Sequence, residues 1–167
     1  GARVPVEIEL TIEDPFTAYR RARMDAGDGV YLETTGGQSG WGYFAIDPIE
    51  RIQVTESAVS IAQHSHQQEK TTEKNNKTKQ NRGPSLDELD SLLARETLVR
   101  GSCTVPYPCG AFGWLSYDVA RELESIPQTT PPSDLPRVQI GVFDRVAAWE
   151  EPRSDGPVTV HITACPV

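Results

Sequence analysis

Val4, Val6, Ile8, Leu10 and Ile12 alternate with Pro5, Glu7, Glu9 and Thr11. A period of two places the five apolar side chains on one face of an extended segment and the charged ones on the other. Such a strand needs neighbours to pair with and a layer to cover its apolar face. The pattern therefore predicts a sheet with one buried side from the first dozen residues onward. The signal recurs along the chain. Segments 30–34 and 41–46 flank Gly36-Gly37-Gln38-Ser39-Gly40, a turn sequence rich in glycine, and read as a hairpin. Segments 51–55 and 58–62 read as two short strands, 109–117 as a nearly continuous apolar run, and 138–143, 146–149 and 158–164 as three more.

Helical signals are fewer. Asp14-Pro15 supplies a cap acceptor and a residue suited to the first helical position, and Phe16, Tyr19 and Ala22 or Arg23 then share a face until Gly27-Asp28-Gly29. Ser85 and Glu88 have capping-box spacing ahead of Leu86, Leu89, Leu92 and Leu93. Asp118, Arg121 and Glu124 fall at i, i+3 and i+6, so they can line one face of a short helix and pair. About eight strands and three helices in mixed order predict an α+β fold, mainly antiparallel sheets packed with a few helices.

The length of 167 residues fits a single domain, 1–167. Apolar residues make up only 37%. Part of the deficit lies in segment 63–82, rich in Gln, Lys, Asn and Thr without apolar periodicity, which is expected to be a mobile polar loop. All four lysines lie there, Lys70, Lys74, Lys77 and Lys79, and with Arg82 they outnumber Glu69 and Glu73 by three. The whole chain carries −8, so the remainder carries −11. An acidic surface repels phosphates, which argues against a nucleic-acid partner. It suits a halophile-like protein whose self-repulsion is screened by salt. No apolar run is long enough to span a bilayer and no signal peptide is visible, so the expected location is cytoplasmic, with no membrane partner.

Cys103, Cys109 and Cys165 are sparse and odd in number, which predicts buried structural thiols in a reducing compartment rather than disulfides or a zinc site. His64 and His66 fall in the polar stretch, and His161 is expected to face solvent. No Ser-His-Asp order, phosphate loop or dinucleotide fingerprint is present, so the chain alone is not expected to catalyse a reaction. Glycines Gly110 and Gly113 interrupt the aromatic run ending in Tyr117, which suggests a strand passing close to another backbone.

Five stretches together resemble a known family. The sequence from Gly110-Ala111-Phe112-Gly113-Trp114 through Tyr117-Asp118, Arg121, Glu124 and Pro127 is similar to the G-G-A-x-G-[YF]-x-x-Y-D…R-x-[FL]-E-x-[LI]-P signature of the N-terminal domain of anthranilate synthase component I and aminodeoxychorismate synthase component I. Asp14-Pro15 at the first helix agrees in order, as do two strands. Tyr31-Leu32-Glu33-Thr34 resembles L-L-E-S, and the segment from Gly40-Trp41-Gly42 to Pro48 resembles R-Y-S-F-I-G-x-x-P. Leu135-Pro136 to Asp144 resembles a late L-P-x-x-x-x-G-x-x-D strand.

The resemblance implies a non-catalytic domain that packs on a C-terminal chorismate-binding domain holding the catalytic residues and Mg²⁺. No cofactor is expected in the domain itself. A glutamine amidotransferase subunit would supply ammonia. It also implies a tryptophan-type pocket at Leu32, Glu33, Thr34, Gly40, Trp41 and Gly42. Thr34 stands for the family's Ser and keeps a hydroxyl, whereas Gly40 stands for Arg and Gly42 for Ser, removing donors. Weak tryptophan affinity is the expectation, which inclines the reading towards the aminodeoxychorismate, folate branch over anthranilate. A free-standing amino-acid-binding module with no enzymatic parent is the alternative.

Overall fold

The computed structural model describes residues 2–34, 36–55, 58–63, 70–73, 84–95, 97–127, 129, 131 and 135–166. In chain order, strand β1 spans Ala2–Arg3, β2 Val6–Ile12, helix α1 Pro15–Ala26, β3 Gly29–Leu32 and β4 Gly40–Ile46. Then come β5 at Glu50–Val54, β6 at Ala58–Gln63, β7 at Lys70–Glu73 and helix α2 at Pro84–Leu93. Strands β8 (Thr97–Leu98) and β9 (Gly110–Leu115) precede a 3-10 helix at Tyr117–Glu122. Strands β10 (Val138–Phe143), β11 (Arg145–Glu151) and β12 (Val158–Ala164) complete the order. The α+β expectation holds, with more strands than the sequence alone suggested.

The chain divides into two compact units. The first comprises 1–49, 97–112 and 142–167 and carries a five-stranded sheet in the order β2-β12-β11-β4-β3, antiparallel throughout. Strands β1 and β8 add a short parallel pair. Helix α1 packs on β3 and β4. Its start follows from Asp14, whose Oδ2 accepts the Thr17 N–H at 2.8 Å, and its end from Gly27 at φ +79°, whose N–H reaches the Arg23 carbonyl at 2.8 Å. Under the helix, Tyr19, Tyr31, Phe44 and Trp149 pack with tilted rings, neighbouring centroids 5.4–6.2 Å apart. The other face buries Ala45, Phe112, Phe143 and Val146 around Cys109 and Cys165.

The second unit comprises 50–96 and 113–141, with a sheet ordered β7-β6-β5-β10-β9. Ile52, Val54, Val119 and Val138 are buried in it. Glu122 accepts from Arg137 Nη1 at 3.1 Å and from the Leu86 N–H at 3.4 Å, tying the 3-10 helix to α2 and β10.

Several expectations need correction. The alternation of β2 is present, but its apolar face is open: Val6 is 62%, Ile8 55% and Leu10 45% exposed. Within the stretch expected to be a loop at 63–82, Lys70–Glu73 form β7, paired with Ala58–Ile61 of β6 through backbone hydrogen bonds that need no apolar side chains. Residues 64–69 and 74–82, with His64 and His66, lie outside the described residues. Helix α2 starts at Pro84, one residue before the expected Ser85 cap. Cys109 and Cys165 are joined as a disulfide with Cα atoms 6.5 Å apart, so two of the three cysteines are not thiols; Cys103 alone is free. No helix among the described residues is long and apolar enough to cross a membrane.

Candidate functional site

The β3–β4 hairpin turns through Gly36 and Gly37, at φ +71° and +70°, conformations that side chains with a Cβ rarely adopt. Leu32 lies opposite Tyr43 in the ladder, so alternation puts Leu32, Tyr43 and Trp41 on one face. Leu32 is about half exposed there, and Trp41 leans on His161 with ring centroids 5.7 Å apart. Thr34 donates its hydroxyl to the Gln38 carbonyl at 3.1 Å, closing the turn. A Cβ built on Gly40 would stand 3.0 Å from the Thr34 methyl.

Glu33 points to the opposite face, as a regular strand requires. Its Oε2 accepts the Tyr31 hydroxyl at 2.6 Å and lies 3.5 Å from Arg153 Nη2. Arg153 is the centre of a carboxylate cluster. Its Nη1 donates to Asp14 Oδ1 at 3.0 Å, its Nε lies 3.5 Å from Glu151 Oε1, and its backbone N–H donates to Glu151 Oε2 at 3.1 Å. Burial opposes the charge on Arg153, but the Asp14 bond and the neighbouring acids outweigh it and hold its pKa above the ordinary value. Asp14 is held below the carboxylate range by Thr17 and, secondarily, by Arg153. Burial, then the Glu33 bond, pushes the Tyr31 phenol up.

No local pattern points to Arg153: it lies 120 residues from Glu33 and 139 from Asp14. It reaches them because Gly40 pairs with Glu151 at the end of β11, two residues before Arg153. A guanidinium thus stands just beyond the end of the strand next to Gly40, but its nitrogens are turned to Asp14, Glu33 and Glu151.

Gly42 has its own explanation. It lies opposite Trp149, whose side chain is 0% exposed and donates Nε1 to Glu151 Oε1 at 2.5 Å. A Cβ on Gly42 would enter the indole ring. The hydroxyl expected at this position is excluded by the ring that packs there.

His161, expected at the surface, is only 9% exposed. Its Nδ1 lies 2.8 Å from Glu7 Oε1 and 3.6 Å from Glu9 Oε1. Burial raises the Glu7 pKa, yet hydrogen bonds from the Cys103 thiol, the Thr104 N–H at 2.7 Å and His161 together hold it below the usual range. Among the described residues, no group of three or more His, Cys, Asp or Glu is placed to hold a metal ion.

No protein-family model matches the chain. Two curated relatives from Haloarcula marismortui match it over 99% of its length. "Anthranilate synthase component 1 3" is 59% identical over 166 residues, and "Anthranilate synthase component 1 1" is 50% identical over 167. The chain is similar to the N-terminal part of anthranilate synthase component 1. It spans 29% of the length of each relative.

The motif that carried this resemblance has a structural logic of its own. Gly110 adopts φ +130° beside Tyr107, whose hydroxyl accepts the Ala111 N–H and donates to the Ala111 carbonyl, both at 3.0 Å. A Cβ on Gly113 would strike the Gln139 carbonyl and approach Ile140 Cα to 2.7 Å. The close backbone is therefore β10, the neighbour within its own sheet, rather than a facing sheet. Arg121 Nε bonds Asp118 Oδ1 at 2.9 Å, while its Nη1 bonds the carbonyls of Ile126 and Pro127 at 3.1 and 2.6 Å. Arg121 thus makes the expected pairing with Asp118 and also ties the 3-10 helix to the segment after it. Tyr117 is 89% exposed.

Proposed function

We propose that this chain is the N-terminal, non-catalytic part of a synthase component I that converts chorismate and ammonia to anthranilate and pyruvate, in the tryptophan branch. The observation that carries the reading is the match to two relatives named anthranilate synthase component 1, over 99% of this chain and 29% of theirs. The catalytic residues, the chorismate site and Mg²⁺ belong to the remaining length, and a glutamine amidotransferase subunit supplies ammonia. The names of both relatives favour anthranilate over the aminodeoxychorismate branch to which the substitutions at Gly40 and Gly42 inclined the sequence reading. The packing of Trp149 on Gly42 supports this, since it accounts for one of those substitutions without reference to the product.

The full-length protein incubated with chorismate, ammonium and Mg²⁺ is expected to form anthranilate, read by its fluorescence. Accumulation of aminodeoxychorismate, or no consumption of chorismate, overturns the reading. Tryptophan binding is weak in this proposal, because Gly40 supplies no donor and each guanidinium nitrogen of Arg153 already lies near a carboxylate. A missing charged hydrogen bond costs about 1.5–3 kcal/mol, roughly one to two decades of affinity. Calorimetry of the full-length protein showing submicromolar tryptophan binding would contradict it. The proposed setting is a salt-rich cytoplasm, where the acidic surplus is screened; unfolding temperature is expected to rise with added KCl.

A further inference from the structure

His161 has a ring nitrogen that the fold does not use. Its Nδ1 lies 2.8 Å from Glu7 Oε1, and a carboxylate at that distance places the proton on Nδ1. A neutral imidazole then carries a bare lone pair on Nε2, which has no hydrogen-bond partner among the described residues. The ring is only 9% exposed, so this acceptor is held in a fixed place and left unsatisfied. The imidazole borders a hollow of about 240 Å³ at the β11–β12 connection, which Glu150, Arg153, Pro157 and Thr159 also line. His161 lies opposite Ala148 in the ladder, so Glu150, two residues on, and Thr159, two residues back, share its face of the sheet. Glu150 is exposed and makes no ion pair among the described residues. Trp41 stands opposite Glu150 in the next strand, and its indole lies 5.7 Å from the imidazole.

We infer that this hollow is a binding site for the primary ammonium group of a small aliphatic amine. The Glu150 carboxylate, the His161 Nε2 and the Thr159 hydroxyl are three acceptors, and a primary ammonium has three N–H groups to donate. The local charge selects a cation over an anion. Glu150 is uncompensated, Glu9 lies 3.6 Å from the imidazole, and Arg153 has all three guanidinium nitrogens beside carboxylates already. Trp41 adds an aromatic ring next to the place a cation would occupy. Pro152 and Pro157 give the alkyl chain an apolar wall. A free α-amino acid is a poorer occupant, because its carboxylate would be brought among these acids. The site uses none of Leu32, Glu33 and Thr34, and it does not depend on which reaction the longer polypeptide performs.

The test is calorimetric titration of the full-length protein with butylammonium chloride, at constant total salt and without chorismate. Saturable binding with a Kd of about 1 mM is expected, the affinity of a small ligand held by a few polar contacts. Tetramethylammonium carries the same charge but no N–H, and is expected to bind at least tenfold more weakly, since a charged hydrogen bond is worth about a decade or more. Glu150→Gln and Thr159→Val change exposed positions and are expected to keep the parental melting temperature. Glu150→Gln should weaken butylammonium at least tenfold, and Thr159→Val a few-fold. Absence of saturable binding overturns the inference. So does equal affinity for tetramethylammonium, a comparison that needs no variant to fold, and so does undiminished binding by Glu150→Gln. Anthranilate formation is measured separately, so an inactive protein that binds butylammonium refutes the assigned reaction and leaves the site standing.

Discussion

Gly42→Ser tests the packing at the centre of the hairpin, because it introduces the residue that the family pattern carries at this position. The new Cβ falls inside the Trp149 indole, overlapping Cε2, Cζ2 and Nε1. Trp149 has little room to yield: it is fully buried, it stacks on Tyr31 at 5.5 Å and Phe44 at 6.2 Å, and its Nε1 is bonded to Glu151. Overpacking of a tight core costs typically 1–3 kcal/mol, and the overlap here with a rigid, hydrogen-bonded ring belongs at the top of that range, about 3 kcal/mol. For a chain of this size that lowers the melting temperature by about 6–12 °C. The assay is thermal unfolding followed by near-ultraviolet circular dichroism, which reports the packing of the aromatic side chains, Trp149 among them. A second variant, Trp149→Leu, is destabilised on its own by the cavity it leaves, but it removes the clash. The double variant is therefore expected to lose less than the two single losses added, with a coupling of about 1–3 kcal/mol. A Gly42→Ser chain that melts within a degree of the parent, or strict additivity in the double variant, refutes the argument that the indole excludes a side chain here.

Gly113→Val is expected to abolish folding or cost about 3 kcal/mol or more, since its Cβ would strike the Gln139 carbonyl of β10, a backbone atom that cannot rotate away; soluble expression and melting check it. The disulfide between Cys109 and Cys165 closes a loop with a sequence separation of 56, for which loop entropy gives about 4 kcal/mol. A Cys109→Ala/Cys165→Ala chain should lose most of that in urea unfolding, and an intact mass lacking the two-hydrogen deficit in the parent would disprove the bond. The lowered pKa of Glu7 means its contribution is present above the unfolded-state glutamate value and is lost as pH falls through the folded value. Glu7→Gln should therefore flatten the acid limb of a plot of urea midpoint against pH, between roughly pH 5 and 3, and an unchanged limb rules Glu7 out.

The parts of the fold that were legible in the sequence are those fixed by neighbours along the chain. Asp14, Pro15 and Gly27 determine α1 because capping and termination act within a turn. The glycines between residues 30 and 46 determine the hairpin because positive φ is a local requirement. What was illegible depends on partners far along the chain. His161 meets Glu7, 154 residues away, and Cys109 finds Cys165 after 56. Strand β7 reads Lys-Thr-Thr-Glu, which carries no apolar alternation, and it pairs with β6 through backbone groups that every sequence possesses. The alternation of β2 gave the strand and its two faces correctly and the burial wrongly, because periodicity reports which side chains share a face and is silent on what is placed against it.

The two departures at Gly40 and Gly42, read from sequence as lost donors, look different once their neighbours are known. The hairpin has one face committed to the fold, where Glu33, Tyr31 and Gly42 meet Arg153 and Trp149, and one that stays partly open, where Leu32 and Trp41 stand. Gly42 lies on the committed face, so its missing side chain is a consequence of the Trp149 indole and carries no information about a ligand. Gly40 sits at the turn, where a Cβ would press the Thr34 methyl at 3.0 Å, a distance at which the methyl must shift slightly but no backbone is struck. Of the two, only Gly40 leaves a place where a donor has been removed without a packing reason of comparable strength. Arg153, two residues beyond the ladder partner of Gly40, is held by Asp14, Glu33 and Glu151. To serve an incoming carboxylate it would have to give up its contacts with these three acids, so a new side chain at Gly40 restores a donor more directly than a turn of Arg153.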